Sequence, residues 1–340
     1  MDILEEGHGE LLGFHDPDEH RAWVAANKSP KPVDKRMSVA EAVERFIPDG
    51  SYIASGGFGH IRVAMAVIYE IIRRRRRNLA IAGKTAVHDF DILMGAGCIE
   101  KCETAYSFGH ELRGLSPASR RAVETGKVRV VAETSNAGYQ WRFLAGMLGV
   151  PFVPSRNLLG TDTLRYSSAK VAVDPFTGKP VTLIPSANPD VVLMHVPRCD
   201  KYGNCQIDGI LVMDFELSRS ARRLIVTTEQ VIDNEEIRSV PWRTVIPHMY
   251  VDAVCEVPYG SHPCQMPGLY FFDEEIIGEW LAVSKTDEGA AAYFDKYVFG
   301  VKDFAEYLEL AGGAAKLEHL RRVERLEEPM RAPWLERKKG

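Results

Sequence analysis

The chain has 340 residues, a formal net charge of −5 and 45% apolar residues. That length supports a large core, as one big α/β domain or two smaller ones, in an ordinary globular composition. The mild acidity argues against nucleic acid as a partner, and no apolar run approaches the ~20 residues of a membrane span.

The opening Met1-Asp-Ile-Leu-Glu-Glu6 is acidic where a signal peptide is basic. Six cysteines, none in C-x-x-C spacing, predict reduced thiols in a cytoplasmic protein, with no disulfide framework and no metal site. Residues 1–36 are polar and read as an arm ending in the extended linker Ser29-Pro-Lys-Pro-Val-Asp-Lys-Arg36. Its His8, His15 and His20 lack metal-ligand spacing and are expected at the surface.

The main domain is expected over 37–270. Ser38 and Glu41 form a capping box for a first helix with Val39, Val43, Phe46 and Ile47 on one face. A turn at Pro48-Asp-Gly50 leads to a buried strand over 51–55, a helix over 62–75 and a second strand over 78–83. Further strands are predicted at 128–132, 181–184, 190–196, 224–228 and 251–257. Helices are predicted at 117–125 and 139–148. Strands alternating with helices imply an α/β fold with an open, largely parallel sheet covered by helices on both faces. Ligands of such sheets bind at the carboxyl ends of the strands. Helical patterns at 273–283, 290–298 and 303–310 predict a C-terminal helical cap over 271–325, packed on the same domain. A charged tail spans 326–340.

The most informative stretch is Ser51-Tyr-Ile-Ala-Ser-Gly-Gly-Phe-Gly59, an apolar strand ending in a glycine-rich turn before a helix. Glycine lets a ligand approach the main chain, and a strand-to-helix turn exposes N–H groups near a positive helix end. This suits a phosphate, a carboxylate or an oxyanion, and the bland reading is a tight corner. The dinucleotide fingerprint fails because Arg62 stands where a third glycine belongs. Gly83-Lys84-Thr85 fails as a P-loop because Asn78 replaces the required glycine. The run Arg73–Arg77 reads as a helix C-terminus, where cations suit the dipole.

Several segments together resemble the alpha subunit of family I CoA-transferases, in the glutaconate CoA-transferase branch. They are Gly56-Gly-Phe-Gly59, Asp89-Phe-Asp-Ile-Leu-Met-Gly-Ala-Gly-Cys98, Val150-Pro-Phe-Val-Pro154 and Leu158-Leu-Gly-Thr161. Glu229–Arg238, Val251–Val254, Pro258-Tyr-Gly-Ser-His-Pro263, Gly268-Leu-Tyr270 and Val283-Ser-Lys-Thr286 continue the series. The resemblance implies the fold shared by sugar-phosphate isomerases and CoA-transferases. It also implies a homologous beta subunit in a hetero-oligomer of equal stoichiometry. Coenzyme A enters as acyl-CoA substrate, with a carboxylic acid as the other substrate and no permanently bound cofactor. In this family a beta-subunit glutamate attacks the acyl-CoA carbonyl, so no catalytic residue is expected in this chain. Gly56, Gly57, Phe58 and Gly59 would line the active site, where fixed N–H donors stabilise an oxyanion. Members often carry Gly-x-Pro or Arg-Lys-Pro soon after this turn; here the stretch is His60-Ile61-Arg62.

His60, Arg62, Glu111, Glu133, Ser135, Asn136 and His262 are further substrate-pocket candidates. For Glu111 and Arg113 the competing reading is a surface salt bridge, and Arg142 has the same one. For Ser135 or Asn136 it is helix capping, and for His262 a loop histidine bonded to backbone. His195, inside an apolar strand, reads as a core histidine. A related branch, the steroid ring-opening CoA hydrolases, uses an acid near Asn136 or Glu133. A hydrolase is therefore the alternative enzyme, and a non-catalytic ligand sensor the alternative of another class.

Overall fold

The computed structural model describes residues 2–330. Its strands are β1 (Ile3–Glu6), β2 (Tyr52–Ser55), β3 (Leu79–Lys84), β4 (Ile99–Ala105), β5 (Arg129–Glu133), β6 (Phe152–Ser155) and β7 (Lys170–Val173). β8 (Pro180–Pro185), β9 (Val191–Asp200), β10 (Cys205–Gln206), β11 (Arg223–Ile232), β12 (Thr244–Ile246) and β13 (Ala253–Glu256) follow. The main sheet has nine strands. Seven run parallel in the order β13-β11-β9-β2-β3-β4-β5, and β10 and β12 add antiparallel pairs beside β9. From β2 the chain moves outward one way through β3, β4 and β5. From β9 it moves the other way through β11 and β13. The strand order therefore reverses between β2 and β9, and the glycine turn follows β2 at that crevice.

Side-chain alternation explains why the sheet is covered twice. Ile53, Leu79, Ile81, Val191 and Leu193 face one core, built with helices Val39–Phe46, Met65–Arg73, His88–Gly95 and Pro117–Glu124. Tyr52, Ala54, Ala80, Ala82, Val192 and Met194 face the other, against Tyr139 and Phe143 of helix Asn136–Leu148 and Leu217 of helix Asp214–Ser220. Strands buried on both faces read as continuous apolar runs, which is the pattern that made them visible in the sequence. The C-terminal helices bury Trp280, Tyr293, Phe294 and Tyr307 in the first core.

The arm departs from expectation. β1 pairs antiparallel with β7 in a second sheet of four strands, ordered β1-β7-β8-β6. Pro17–Asn27 is a helix capped by Asp16, and it buries His20 rather than exposing it. The expected capping box at Ser38 reduces to one bond, Glu41 N to Ser38 Oγ at 3.1 Å. A further helix, Gly313–Glu324, extends the cap beyond the three helical patterns of the sequence. Of the charged tail, residues 331–340 lie outside the described residues. The basic run ends its helix at Arg73, and Arg73, Arg74 and Arg76 pair with Glu70 and Glu44.

Candidate active site

β2 ends at the crevice, and the turn that follows is fastened on every side. Gly56 N extends the ladder to Leu193 O of β9 at 2.8 Å, and a Cβ there would stand 2.8 Å from Met194 Cγ. Gly57 has φ +73°, and a Cβ would lie 2.1 Å from Ile61 O, so only glycine fits. Phe58 and Ile61 exchange both backbone bonds, at 3.1 and 2.9 Å, and Gly59 N donates to Thr85 O at 2.7 Å. The amides of Gly56, Phe58 and Gly59 are thus committed within the chain. Helix Met65–Arg73 begins only after residues 60–64, so its N-terminus is not the next step after the glycines. The glycines are buried within this single chain, and only Phe58 is half-buried.

The loops after β2, β3 and β4 meet behind this turn. They carry His60 and His110, and His88 opens helix His88–Gly95 just after the β3 loop; all three are buried. His60 Nε2 and His110 Nδ1 lie 3.0 Å apart. His110 Nε2 is 3.6 Å from Asp91 Oδ2. Asp91 is itself held by Ser119 N at 2.7 Å and Trp280 Nε1 at 2.7 Å. Burial, reinforced by the neighbouring imidazoles and the Arg113 guanidinium, pushes His60 and His88 well below the usual histidine range. Glu111 is exposed, and its Oε1 is 3.4 Å from where a Cβ on Gly59 would sit. The structure therefore brings His60 and Glu111 to the turn. Tyr106, Leu112, Leu115 and Ile210 are 76%, 72%, 61% and 70% exposed around the same strand ends, which makes an uncovered apolar rim there.

A sequence model described as coenzyme A transferase matches residues 36–257. The chain belongs to the coenzyme A transferase family. It is 34% identical to a 3-oxoadipate CoA-transferase subunit of Pseudomonas knackmussii, over 80% of this chain and 96% of that protein. It is 32% identical to a glutaconate CoA-transferase subunit of Acidaminococcus fermentans, over 86% of this chain and 96% of the relative. The crystal structure of the Acidaminococcus glutaconate enzyme superposes with a TM-score of 0.79, at 31% identity, over 84% of this chain and 95% of that one. A cholesterol ring-cleaving hydrolase IpdA subunit of Rhodococcus jostii is 28% identical over 80% of this chain and 97% of its own.

Within this transferase-family fold, other residues singled out in the sequence have structural partners. Arg62, at φ +54°, forms a buried two-pronged pair with Asp214 at 2.7 and 2.8 Å and donates to Ile210 O. It is occupied by the chain rather than open to a ligand. His262 is buried with both nitrogens engaged, by Tyr307 Oη at 2.8 Å and Asp273 Oδ2 at 3.1 Å. These are side chains, not the backbone partner expected. Ser135 caps helix Asn136–Leu148 through Gly138 N at 2.9 Å. Asn136 begins that helix with a buried Oδ1 that has no hydrogen-bond partner. Glu133 ends β5 with its side chain exposed. His195 is a core histidine between Thr227 Oγ1 and Glu229 Oε1. Arg142 is not on the surface: it is buried against Glu103 and the carbonyls of Leu12, Pro185 and Ser186. Sequence reasoning missed His88 and His110 as partners of His60, because no local spacing joins three separate segments of the chain.

No helix among the described residues is long and apolar enough to cross a membrane, and the six cysteines are free and buried.

Proposed function

We propose that this chain is the alpha subunit of a heteromeric CoA-transferase, which moves CoA from an acyl-CoA to a carboxylic acid by a ping-pong route. The observation that carries the reading is the glycine turn at the strand-order reversal, bordered by the exposed apolar rim of Tyr106, Leu112, Leu115 and Ile210. A monomer exposing such a rim has a poor surface, and a homologous partner in equal number would cover it, burying on the order of 2,000 Å².

The partner supplies a glutamate. Its carboxylate attacks the thioester carbonyl, CoA thiolate departs, and a mixed anhydride forms. The thiolate then attacks the enzyme's own carbonyl, the first acid leaves as carboxylate, and a glutamyl thioester remains for the incoming acid to reverse the sequence. Each attack creates an oxyanion, and preorganised N–H donors stabilise it. With the amides of Gly56, Phe58 and Gly59 already bonded, this role narrows to Gly57. Glu111, exposed beside the turn, would select among acids, with His60 buried behind it.

The test is reconstitution. The chain alone, assayed with acyl-CoA and acid pairs, should be inactive, and mixing it with its partner should give parallel-line ping-pong kinetics. Robust transfer by this chain alone would overturn the half-site reading. Thioester hydrolysis without transfer by the complete assembly would favour the hydrolase.

A further inference from the structure

The three histidines behind the glycine turn have a chemistry that CoA transfer does not use. One nitrogen from each of His60, His88 and His110 lies within 4.8 Å of the other two. The rings are arranged around a common centre rather than stacked: centroids are 5.0–5.8 Å apart and the planes cross at 36°, 50° and 85°. We infer that His60, His88 and His110 bind a divalent transition-metal ion, of which zinc is the natural occupant, and that this ion ties together the loops after β2, β3 and β4.

Four observations carry this. First, the cluster is unsatisfied. Both nitrogens of His88, Nδ1 of His60 and Nε2 of His110 are buried without a hydrogen-bond partner. Buried polar atoms are almost always paired, so four orphaned nitrogens in one cluster, two of them on His88, call for something to bind them, while His60 Nε2 and His110 Nδ1 have only each other. The other fully buried histidines, His195 and His262, have both ring nitrogens bonded. Second, the spacing is near a ligand set. Zinc–nitrogen bonds of about 2.0–2.1 Å at tetrahedral angles separate ligand nitrogens by roughly 3.3 Å. The His60–His110 pair is at 3.0 Å, and a His88 nitrogen lies within 4.8 Å of both. Third, the three imidazoles are enclosed, with His60 2% and His88 and His110 0% exposed, so little solvent competes for an ion held there. Fourth, the outer contacts fit. His110 can ligate through Nδ1 while Nε2 faces the Asp91 carboxylate at 3.6 Å, which Ser119 N and Trp280 Nε1 fix in place. A carboxylate behind a ligating histidine orients the ring and raises its basicity. The charge of Arg113 is offset by its pair with Glu274.

Three imidazoles suit zinc, copper, nickel or iron, and leave a fourth position for water or a substrate oxygen. His60 adjoins Gly59, so an ion here would hold the candidate active-site turn. The inference does not depend on CoA transfer.

The experiment uses the full chain without a polyhistidine tag, equilibrated with zinc and then dialysed against a weak chelator. Metal is counted by inductively coupled plasma mass spectrometry, and Co²⁺ replaces zinc for visible spectroscopy. One ion per chain is expected, with four-coordinate Co²⁺ bands. His88→Phe and His60→Gln should each lower retention at least a hundred-fold, Asp91→Asn should weaken it about ten-fold or more, and His195→Gln should leave it unchanged. Metal-free wild-type chain, or unchanged binding in folded His88→Phe and His60→Gln, would overturn the inference and leave an unusually dry histidine cluster. If the variants do not fold, the wild type decides alone: zinc must raise its Tm, and no shift counts against the site.

Discussion

Two buried polar clusters, one between β4 and helix Asn136–Leu148 and one beyond the ends of β2, β3 and β4, differ in how their hydrogen bonds close. Around Arg142, the guanidinium meets Glu103 of β4 and three backbone carbonyls. Around His60, nitrogens of His88 and His110 are left with nothing to bind. Both are buried to within a few per cent, so burial alone does not separate scaffold from site. Satisfaction does. A closed network locks the elements it joins, whereas an open one has room for a ligand's bonds.

The largest effect should come from breaking the closed cluster. Arg142→Met leaves Glu103 charged, buried and alone, which should cost about 3–5 kcal/mol. Urea denaturation of Arg142→Met, of Glu103→Leu and of the double variant would check it. The double variant should recover much of the loss, since removing both charges removes the desolvation cost. A near-additive double variant would mean that the pair is not a unit.

Next is the turn itself, where two glycines differ. At Gly57 a Cβ meets backbone at 2.1 Å, and at Gly59 it meets only the end of Glu111 at 3.4 Å. Gly57→Val should therefore destabilise by about 1–3 kcal/mol and lower kcat of the assembled enzyme by roughly a hundred-fold. The Kd for acyl-CoA should change much less, because an oxyanion exists only along the reaction path. Gly59→Ala should cost about 1 kcal/mol for its left-handed backbone, with kcat nearly kept. Equal losses at the two positions, read by steady-state kinetics and circular dichroism, would assign the turn a purely structural role.

A satisfied histidine offers a sharper control. His262→Gln loses bonds to Tyr307 and Asp273, and should lower stability by about 1–3 kcal/mol while leaving metal retention intact. Loss of the ion in that variant would show that the clusters are not separate.

The smallest effect concerns the N-terminal helix. Burial, then Arg222, His15 and Lys28, push His20 down from its ordinary 6.5 to about 4. Between those values the unfolded chain takes up a proton that the folded chain refuses. Stability is therefore fully present above pH 6.5 and declines as pH falls toward 4. Denaturant midpoints across that range should show the slope, and His20→Leu should flatten it.

Periodicity and glycine placement determined much of this protein. Apolar runs at β2, β3, β9 and β11 predicted strands buried on both faces, and the glycines after β2 marked the carboxyl-end crevice. Both signals are local, since they depend on neighbours along the chain. The order of segments from Gly56 to Thr286 was enough to name the family. The pairing of residues far apart was not legible. Arg142 reads as an ordinary helix cation until β4 brings Glu103 to it, and Arg62 reads as a free cation until Asp214 closes on it. The polar arm gave no strand alternation strong enough to reveal β1, because its four residues are all exposed and are held to β7 by the backbone ladder and a surface Glu6–Lys170 ion pair. Nothing in the sequence connects His60, His88 and His110. Only the parallel sheet, which sets the ends of β2, β3 and β4 side by side, decided that they share one centre.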